Sequence, residues 1–229
     1  MEPARHQAIA NNMDWYEAQC TAHGIACTRS AESWFTASPM PPFYSNLVWA
    51  DSHYPAEPLQ NLQATGLARW SVKDALAQWD LARDGLTKLF DAEWYVRPAS
   101  SAPLPSEGSV ATMRTSAELN LWIKAWGETP AGTRVFVDDL LTNPDVSFMM
   151  FEPPDAPPGG LIANRSAACM GLSNFFGPIE GVARCIAAVS SAHPTLPLVG
   201  YDRVEDLDAL RTYGFRATGP LAVWISALP

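Results

Sequence analysis

The order of patterns from Gly159 to Ser226 constrains this chain more than any other feature. Two extended segments come first, Gly159 to Arg165 (Gly-Gly-Leu-Ile-Ala-Asn-Arg) and Ala167 to Phe176 (Ala-Ala-Cys-Met-Gly-Leu-Ser-Asn-Phe-Phe). A glycine-containing loop and an amphipathic helix follow, with Val182, Cys185, Ile186 and Val189 at i, i+3, i+4 and i+7. Then come an apolar strand (Leu-Pro-Leu-Val-Gly-Tyr, ending at Tyr201), a short acidic helix running into Tyr213-Gly214-Phe215, and a last strand from Leu221 to Ile225. Strands joined by a short turn pair antiparallel, whereas passage through a helix allows a parallel crossover. The expectation is an α/β (α+β) fold with a mixed, mostly antiparallel sheet and helices on its faces.

The 229 residues suit one large domain or a domain with a sizeable extension, and 48% apolar residues are ample for a core. A formal charge of -9, from 15 basic and 24 acidic residues, argues against nucleic-acid and anionic-membrane partners, which need a basic surface. It does not exclude an anionic cofactor, because phosphate capture depends on local backbone amides. Met1 to Met13 contains Glu2, Arg5 and His6 and reads as no signal peptide, and no apolar run is long enough to span a bilayer. Cys20, Cys27, Cys169 and Cys185 lack paired spacing and read as reduced thiols of a cytoplasmic protein. The histidines His6, His23, His53 and His193 form no metal motif, so no metal is expected.

Along the chain, the spacing of Ile9, Met13, Tyr16 and Cys20 predicts a helix over 4–22, stopped by Gly24. Candidate strands at Ile25–Thr28 and Ser33–Thr36 precede a rigid loop with Pro39, Pro41 and Pro42. A helix is expected over 57–67, while 71–79 is ambiguous. Residues 87–97 read as a strand and 98–112 as a loop. Ser116 is the expected cap of a helix carrying Leu119, Trp122, Ile123 and Trp126, ended by Gly127. A short helix over 135–141 and a strand over 146–151 follow. Residues 1–85 are expected to be an α/β extension packing on the sheet, and 86–229 the main domain.

That order resembles the GNAT superfamily of N-acetyltransferases over roughly the final 140 residues, and two short motifs carry the resemblance. The first is a loop that the family writes Gln/Arg-x-x-Gly-x-Gly/Ala, matched here by Pro178-Ile179-Glu180-Gly181-Val182-Ala183. Gly181 and Ala183 fit. Pro178 replaces the polar first residue and has no amide hydrogen, and Glu180 places a negative charge where a phosphate would lie. The loop therefore reads either as a pyrophosphate cradle or as a plain strand-to-helix turn. The second motif is Tyr213-Gly214-Phe215, similar to the family's Gly-Phe helix ending. Leu210 stands where family members often carry a tyrosine acid, and Tyr213 is displaced from that position by nearly a turn.

The resemblance implies acetyl-CoA or another acyl-CoA as co-substrate, and an amine of a small molecule as acceptor. The amine attacks the thioester directly. The cofactor-binding residues it implies are Ser173, Asn174, Phe175, Phe176, Ile179, Glu180, Gly181, Val182 and Ala183, with the pantetheine arm along Met170 to Phe176. Tyr201, Asp202 and Glu93 are the candidates for base by position, and for each a structural hydrogen bond is the competing reading. Trp34, Phe43 and Tyr44 either wall the acceptor pocket or pack as core. Asp51, His53 and Ser173 form a hydrolase set only on paper, because no Gly-x-Ser-x-Gly elbow exists. His193 reads as a helix C-cap. Pro178, Glu180 and Leu210 also admit a second reading, a GNAT-fold binding protein without catalysis. A homodimer stays open.

Overall fold

The long helix α1 (Pro3–His23) sets the scaffold. A proline in its first turn costs no intrahelical hydrogen bond, and Gly24 closes it in the left-handed conformation (φ 65°), its N–H directed at the carbonyls of Cys20 and Thr21. Ala8, Ile9, Met13, Tyr16 and Cys20 lie on one buried face. That face packs across the middle of a single eleven-stranded sheet in the computed structural model, which describes residues 2–102, 104, 108–127 and 132–227.

In chain order the strands are β1 (Thr28–Arg29), β2 (Ser33–Phe35), β3 (Leu47–Trp49), β4 (Ser71–Asp74), β5 (Leu86–Arg97), β6 (Ala111–Thr112), β7 (Val146–Phe151), β8 (Gly159–Arg165), β9 (Met170–Phe176), β10 (Leu198–Asp202) and β11 (Arg216–Ser226). The other helices are α2 (Ala56–Ala64), α3 (Ser116–Trp126), α4 (Ile179–Ala192) and α5 (Val204–Arg211). Across the sheet the strands run β1-β2-β3-β4-β11-β5-β10-β9-β8-β7-β6. Only β3 with β4 and β9 with β10 are parallel neighbours. This is the expected mixed, mostly antiparallel sheet flanked by helices. The strands contributed by residues 1–85 continue the same sheet through the β4–β11 pairing.

Two cores lie on opposite faces of the sheet. Under α1 and α3 sit Trp34, Trp94, Trp122, Phe136, Phe148 and Val199. Under α4 and α5 sit Tyr95, Leu172, Ile186, Leu198, Leu207 and Phe215. Trp94 and Tyr95 are sequence neighbours in β5 and serve different cores, as the two-residue period of a strand requires. A third, smaller cluster joins α2 to the outer strands through Leu59, Leu62 and Trp224.

Local chemistry explains where the elements differ from expectation. Thr115, not Ser116, caps α3: its side chain accepts from the Glu118 N–H while the Glu118 carboxylate accepts from the Thr115 N–H, a reciprocal capping box. Residues 138–142 form a 3₁₀ turn where a helix was expected over 135–141. Of 25–28, only Thr28 is in a strand, and the ambiguous 71–79 resolves as β4 followed by a turn held by Asp74, whose carboxylate accepts from the N–H groups of Leu76 and Trp79. The last strand begins at Arg216, five residues earlier than its apolar run suggests. His193 is the C-cap of α4, as read from the sequence.

Trp122 is fully buried, donates Nε1–H to the Met149 carbonyl at 3.0 Å, and meets Phe136, Phe148 and Phe176 edge to face. Trp122→Ala is expected to lower stability by about 3–5 kcal/mol. The check is a lower urea midpoint at unchanged slope, with Trp122→Phe losing much less; equal losses would mean the ring volume is not what holds this face.

Candidate active site

The centre of the sheet contains a break in pairing. β9 and β10 are parallel and in register only at Met170 with Leu198 and Gly171 with Val199. Beyond that point the next β9 carbonyl, that of Leu172, is taken by the hydroxyl of Tyr95 at 3.0 Å. The phenol fits because residue 200 is glycine: a Cβ there would fall 2.4 Å from the Tyr95 oxygen. On its other side β9 stays with β8 but inserts an extra residue. Ser173 faces Ile162 and Phe176 faces Gly160, so Asn174 and Phe175 together oppose Leu161. Asn174 adopts φ 54°, a left-handed conformation that asparagine tolerates better than most residues. The wedge and the bulge part the strands, and a notch opens between them.

A cavity of about 790 Å³ occupies the notch and reaches both faces of the sheet. Ser173, Asn174, Phe175, Phe176 and Gly177 form one lip, and Tyr201, Asp202 and Arg203 the other. On the α4/α5 face the walls are Ile179, Val182, Asp206 and Leu210. On the α1/α3 face they are Asn12, Tyr16, Tyr44, Lys73 and Trp126. The volume lies in the usual range for small-molecule sites.

The two faces differ electrically. Asp202 follows Tyr201 in β10 and so points to the opposite, α5 face. Burial pushes its carboxyl up to about 6, helped by Asp206 and Glu205 and opposed by the Arg203 N–H, which donates to it at 2.9 Å. On the α1 face Lys73 is 1% exposed, donates to Asn12 Oδ1 at 2.8 Å, and stands 4.0 Å from the centre of the Tyr201 ring and 4.8 Å from that of Tyr16. Burial holds its amine well below the ordinary lysine range. Ring faces return about 0.5–2 kcal/mol each to an ammonium, whereas removing an ion from water costs several kcal/mol. No carboxylate among the described residues forms an ion pair with Lys73 to offset this cost. The phenols of Tyr16, Tyr44 and Tyr201 are all pushed upward by burial and stay protonated. Ser173 Oγ is buried at the lip without a partner among the described residues.

Of the residues singled out from the sequence, Ser173, Asn174, Phe175, Phe176, Ile179, Val182, Tyr201, Asp202, Phe43 and Tyr44 meet around this cavity. Phe43 stands at its rim, 56% exposed at φ 75°, edge-on to Trp126. Gly181 and Ala183 are buried on the inner side of α4. A Cβ on Gly181 would lie 3.0 Å from Gly159 Cα, so its smallness lets α4 rest on β8. The N–H groups of Gly181 and Val182 already donate to the Pro178 carbonyl at 3.0 and 3.2 Å, while those of Ile179 and Glu180 have no partner among the described residues. The Glu180 side chain is exposed. Trp34 lies in the core, edge-on to Tyr16, and does not line the cavity. Neither does Glu93, which sits opposite Asp202 and Pro220 in the sheet. His53 bonds Asp51 at 2.8 Å in an exposed loop, away from Ser173 at the cavity lip. Tyr213 offers its carbonyl to Arg97 Nε at 2.8 Å. Among the described residues no cluster of His, Cys, Asp and Glu could hold a metal ion, and no helix is long and apolar enough to cross a membrane.

No protein-family model matches this chain, and no curated protein sequence does. Solved structures do. A GCN5-related N-acetyltransferase from Kribbella flavida superposes with a TM-score of 0.62 at 12% identity, over 93% of this chain and 95% of that one. A GCN5-related N-acetyltransferase from Sphaerobacter thermophilus gives 0.53 at 11% identity, over 98% and 93%. A conserved protein of unknown function from Staphylococcus epidermidis gives 0.60 at 12%, over 88% and 93%. The chain has the GNAT-superfamily fold. In this GNAT fold the likeness extends beyond the final 140 residues and takes in much of the N-terminal region.

The sequence reading passed over Lys73, Asn12 and Arg203. Lys73 carried no distinguishing local signal, since Lys124, in Trp-Ile-Lys-Ala-Trp, is the more apolar-flanked of the chain's three lysines. The Asp202 carboxyl yields a pH test. Its folded pKa of about 6 exceeds the unfolded value of about 3.9. Its contribution is therefore fully present below pH ~4 and is lost as the pH rises toward ~6. Asp202→Asn should raise the urea midpoint relative to wild type more at pH 8 than at pH 4. Equal increments would show that the carboxylate is not desolvated.

Proposed function

We propose that this protein is an acyl-CoA-dependent N-acyltransferase that transfers an acyl group, acetyl by expectation, to the amine of a small molecule by direct attack. The parted β9–β10 pair carries the proposal. It supplies an extended strand with no β10 partner beyond Gly171, along which a pantetheine arm can lie, and a cavity leading from there to the start of α4. The cradle for a pyrophosphate is reduced in this chain. Pro178 has no N–H, and Gly181 and Val182 are committed to the Pro178 carbonyl, which leaves the Ile179 and Glu180 amides and the positive end of a fourteen-residue helix. Ser173, Asn174, Phe175 and Phe176 would flank the thioester, with Ser173 Oγ an uncommitted polar group beside it. The bonded amides favour one second reading, a GNAT-fold binding protein without turnover.

Calorimetric titration with acetyl-CoA, followed by thiol-release assays over amines and amino acids, separates these readings. Binding with amine-dependent thiol release supports the transferase, binding alone the second reading, and no heat removes the first. Where acetyl-CoA binds, Ile179→Glu should weaken it by roughly tenfold or more, because it sets a second carboxylate at the two free amides. Glu180→Gln should tighten it roughly 2–5-fold, the equivalent of about 0.5–1 kcal/mol for a screened surface charge. Unchanged affinity in both variants would place the diphosphate elsewhere.

A further inference from the structure

We propose that Lys73, as the free amine, is the base that takes the proton from the acceptor nitrogen. The inference rests on the acyltransferase reading and assigns a catalytic residue of the same site.

The argument begins with the faces of the sheet. The free amides of α4 lie with Asp202 on the α4/α5 face, so a thioester held in the notch presents its other side toward α1. An acceptor entering from that side meets Lys73 from β4, Asn12 and Tyr16 from α1, Tyr44 from the loop after Phe43, Tyr201 from β10, and Trp94 of β5 behind the amine. Trp94 and Asn12 carry no basic lone pair, and the three phenols are held protonated by burial, so they donate and do not accept a proton. Asp202 lines the same cavity but turns to the α5 face, opposite to Tyr201 and Lys73, and Glu93 lies off the cavity. Among the described residues Lys73 alone offers a basic lone pair there. It carries no ion pair, and Asn12 Oδ1 takes one of its N–H groups at 2.8 Å, which fixes the amine and leaves the lone pair available.

In the step itself, the acceptor nitrogen forms a bond to the thioester carbonyl carbon and the carbon–sulfur bond breaks. The electron pair of that bond leaves on the thiolate, and the surplus proton on the nitrogen passes to Lys73 Nζ. Lys73 then returns the proton to solvent and the thiolate takes one from solvent, which its ordinary pKa near 8.5 permits.

The test uses ¹³Cε-lysine labelling of the whole chain, which gives signals for Lys73, Lys88 and Lys124. The Lys73 signal is expected to titrate well below the other two; all three moving together near pH ~10.4 would overturn the proposal. In parallel, Lys73→Met and Lys73→Arg are assayed with acetyl-CoA and the amine giving the fastest thiol release. Both should lose roughly 100-fold or more in kcat, with calorimetric affinity for acetyl-CoA unchanged, because neither methionine nor an ever-protonated guanidinium can accept the proton. The wild-type rate should fall as pH drops through the Lys73 midpoint, and added methylamine should partly restore Lys73→Ala. Wild-type turnover in Lys73→Met would overturn the base and leave the acyltransferase standing. No binding of acetyl-CoA to wild type would remove the acyltransferase, and the base with it, whatever Lys73 titrates at.

Discussion

The hydroxyl of Tyr95 on the Leu172 carbonyl decides what the centre of this sheet can be. A parallel pair would ordinarily continue its slanted hydrogen bonds to the end of the shorter strand. Here the acceptor that the next rung needs is already satisfied, so the ladder stops without leaving a buried carbonyl unpaired. Gly200 makes room for the phenol, and the bulge at Asn174 and Phe175 shifts the register of β9 against β8. Each feature is local. Together they convert a continuous sheet into one with a central opening, and every candidate binding residue of the proposed site is placed relative to that opening.

The opening also joins two electrostatic environments that a closed sheet would keep fully apart. On the α4/α5 face, Asp206 and Glu205 crowd Asp202 near the start of α5, and the Arg203 N–H and its guanidinium partly offset them. On the α1/α3 face, the walls are aromatic and the one ionisable nitrogen is sheltered from water and from carboxylates. An isolated buried lysine is costly, and aromatic faces offset only part of that cost. A methionine of similar length would pack there without it. Retaining the amine in such a place is easiest to understand if its chemistry is used.

Much of the fold was legible because periodicity is a direct consequence of burial. The faces of α1, α3 and α4, the stops at Gly24 and Gly127, and the cap at His193 all follow from short-range rules. The consecutive residues 173 to 176, with 201 and 202, came instead from the family resemblance, and they line one cavity. What was hidden depends on which strands become neighbours. Lys73 reaches the cavity from β4, more than a hundred residues before Tyr201, through a sheet order that no local pattern encodes. Trp34 and Tyr44 look alike as aromatic members of one N-terminal segment, and only the packing under Tyr16 sends one to the core and the other to the cavity wall. Thr115 displaced Ser116 as cap because both carry a hydroxyl and the choice falls to the reciprocal bond with Glu118.

Gly181 shows how one residue type can satisfy two physical demands that sequence alone does not separate. A small residue in this loop is needed if a diphosphate is to approach the backbone, and equally if a helix is to rest on a strand. Here the second demand is met visibly: Gly181 lies against Gly159, itself a glycine, and its own N–H and that of Val182 donate to the Pro178 carbonyl. The loop's glycine is thus accounted for by packing, and under the proposed function anion recognition would pass to the two amides before it, Ile179 and Glu180. With a carboxylate on one of those two residues and no amide hydrogen on Pro178, the proposed diphosphate capture would depend on the helix end and on β9 more than on the loop. If the proposed acyl-CoA binds, its affinity would then follow from how much of the ligand lies along β9 rather than from the glycine pattern of the loop.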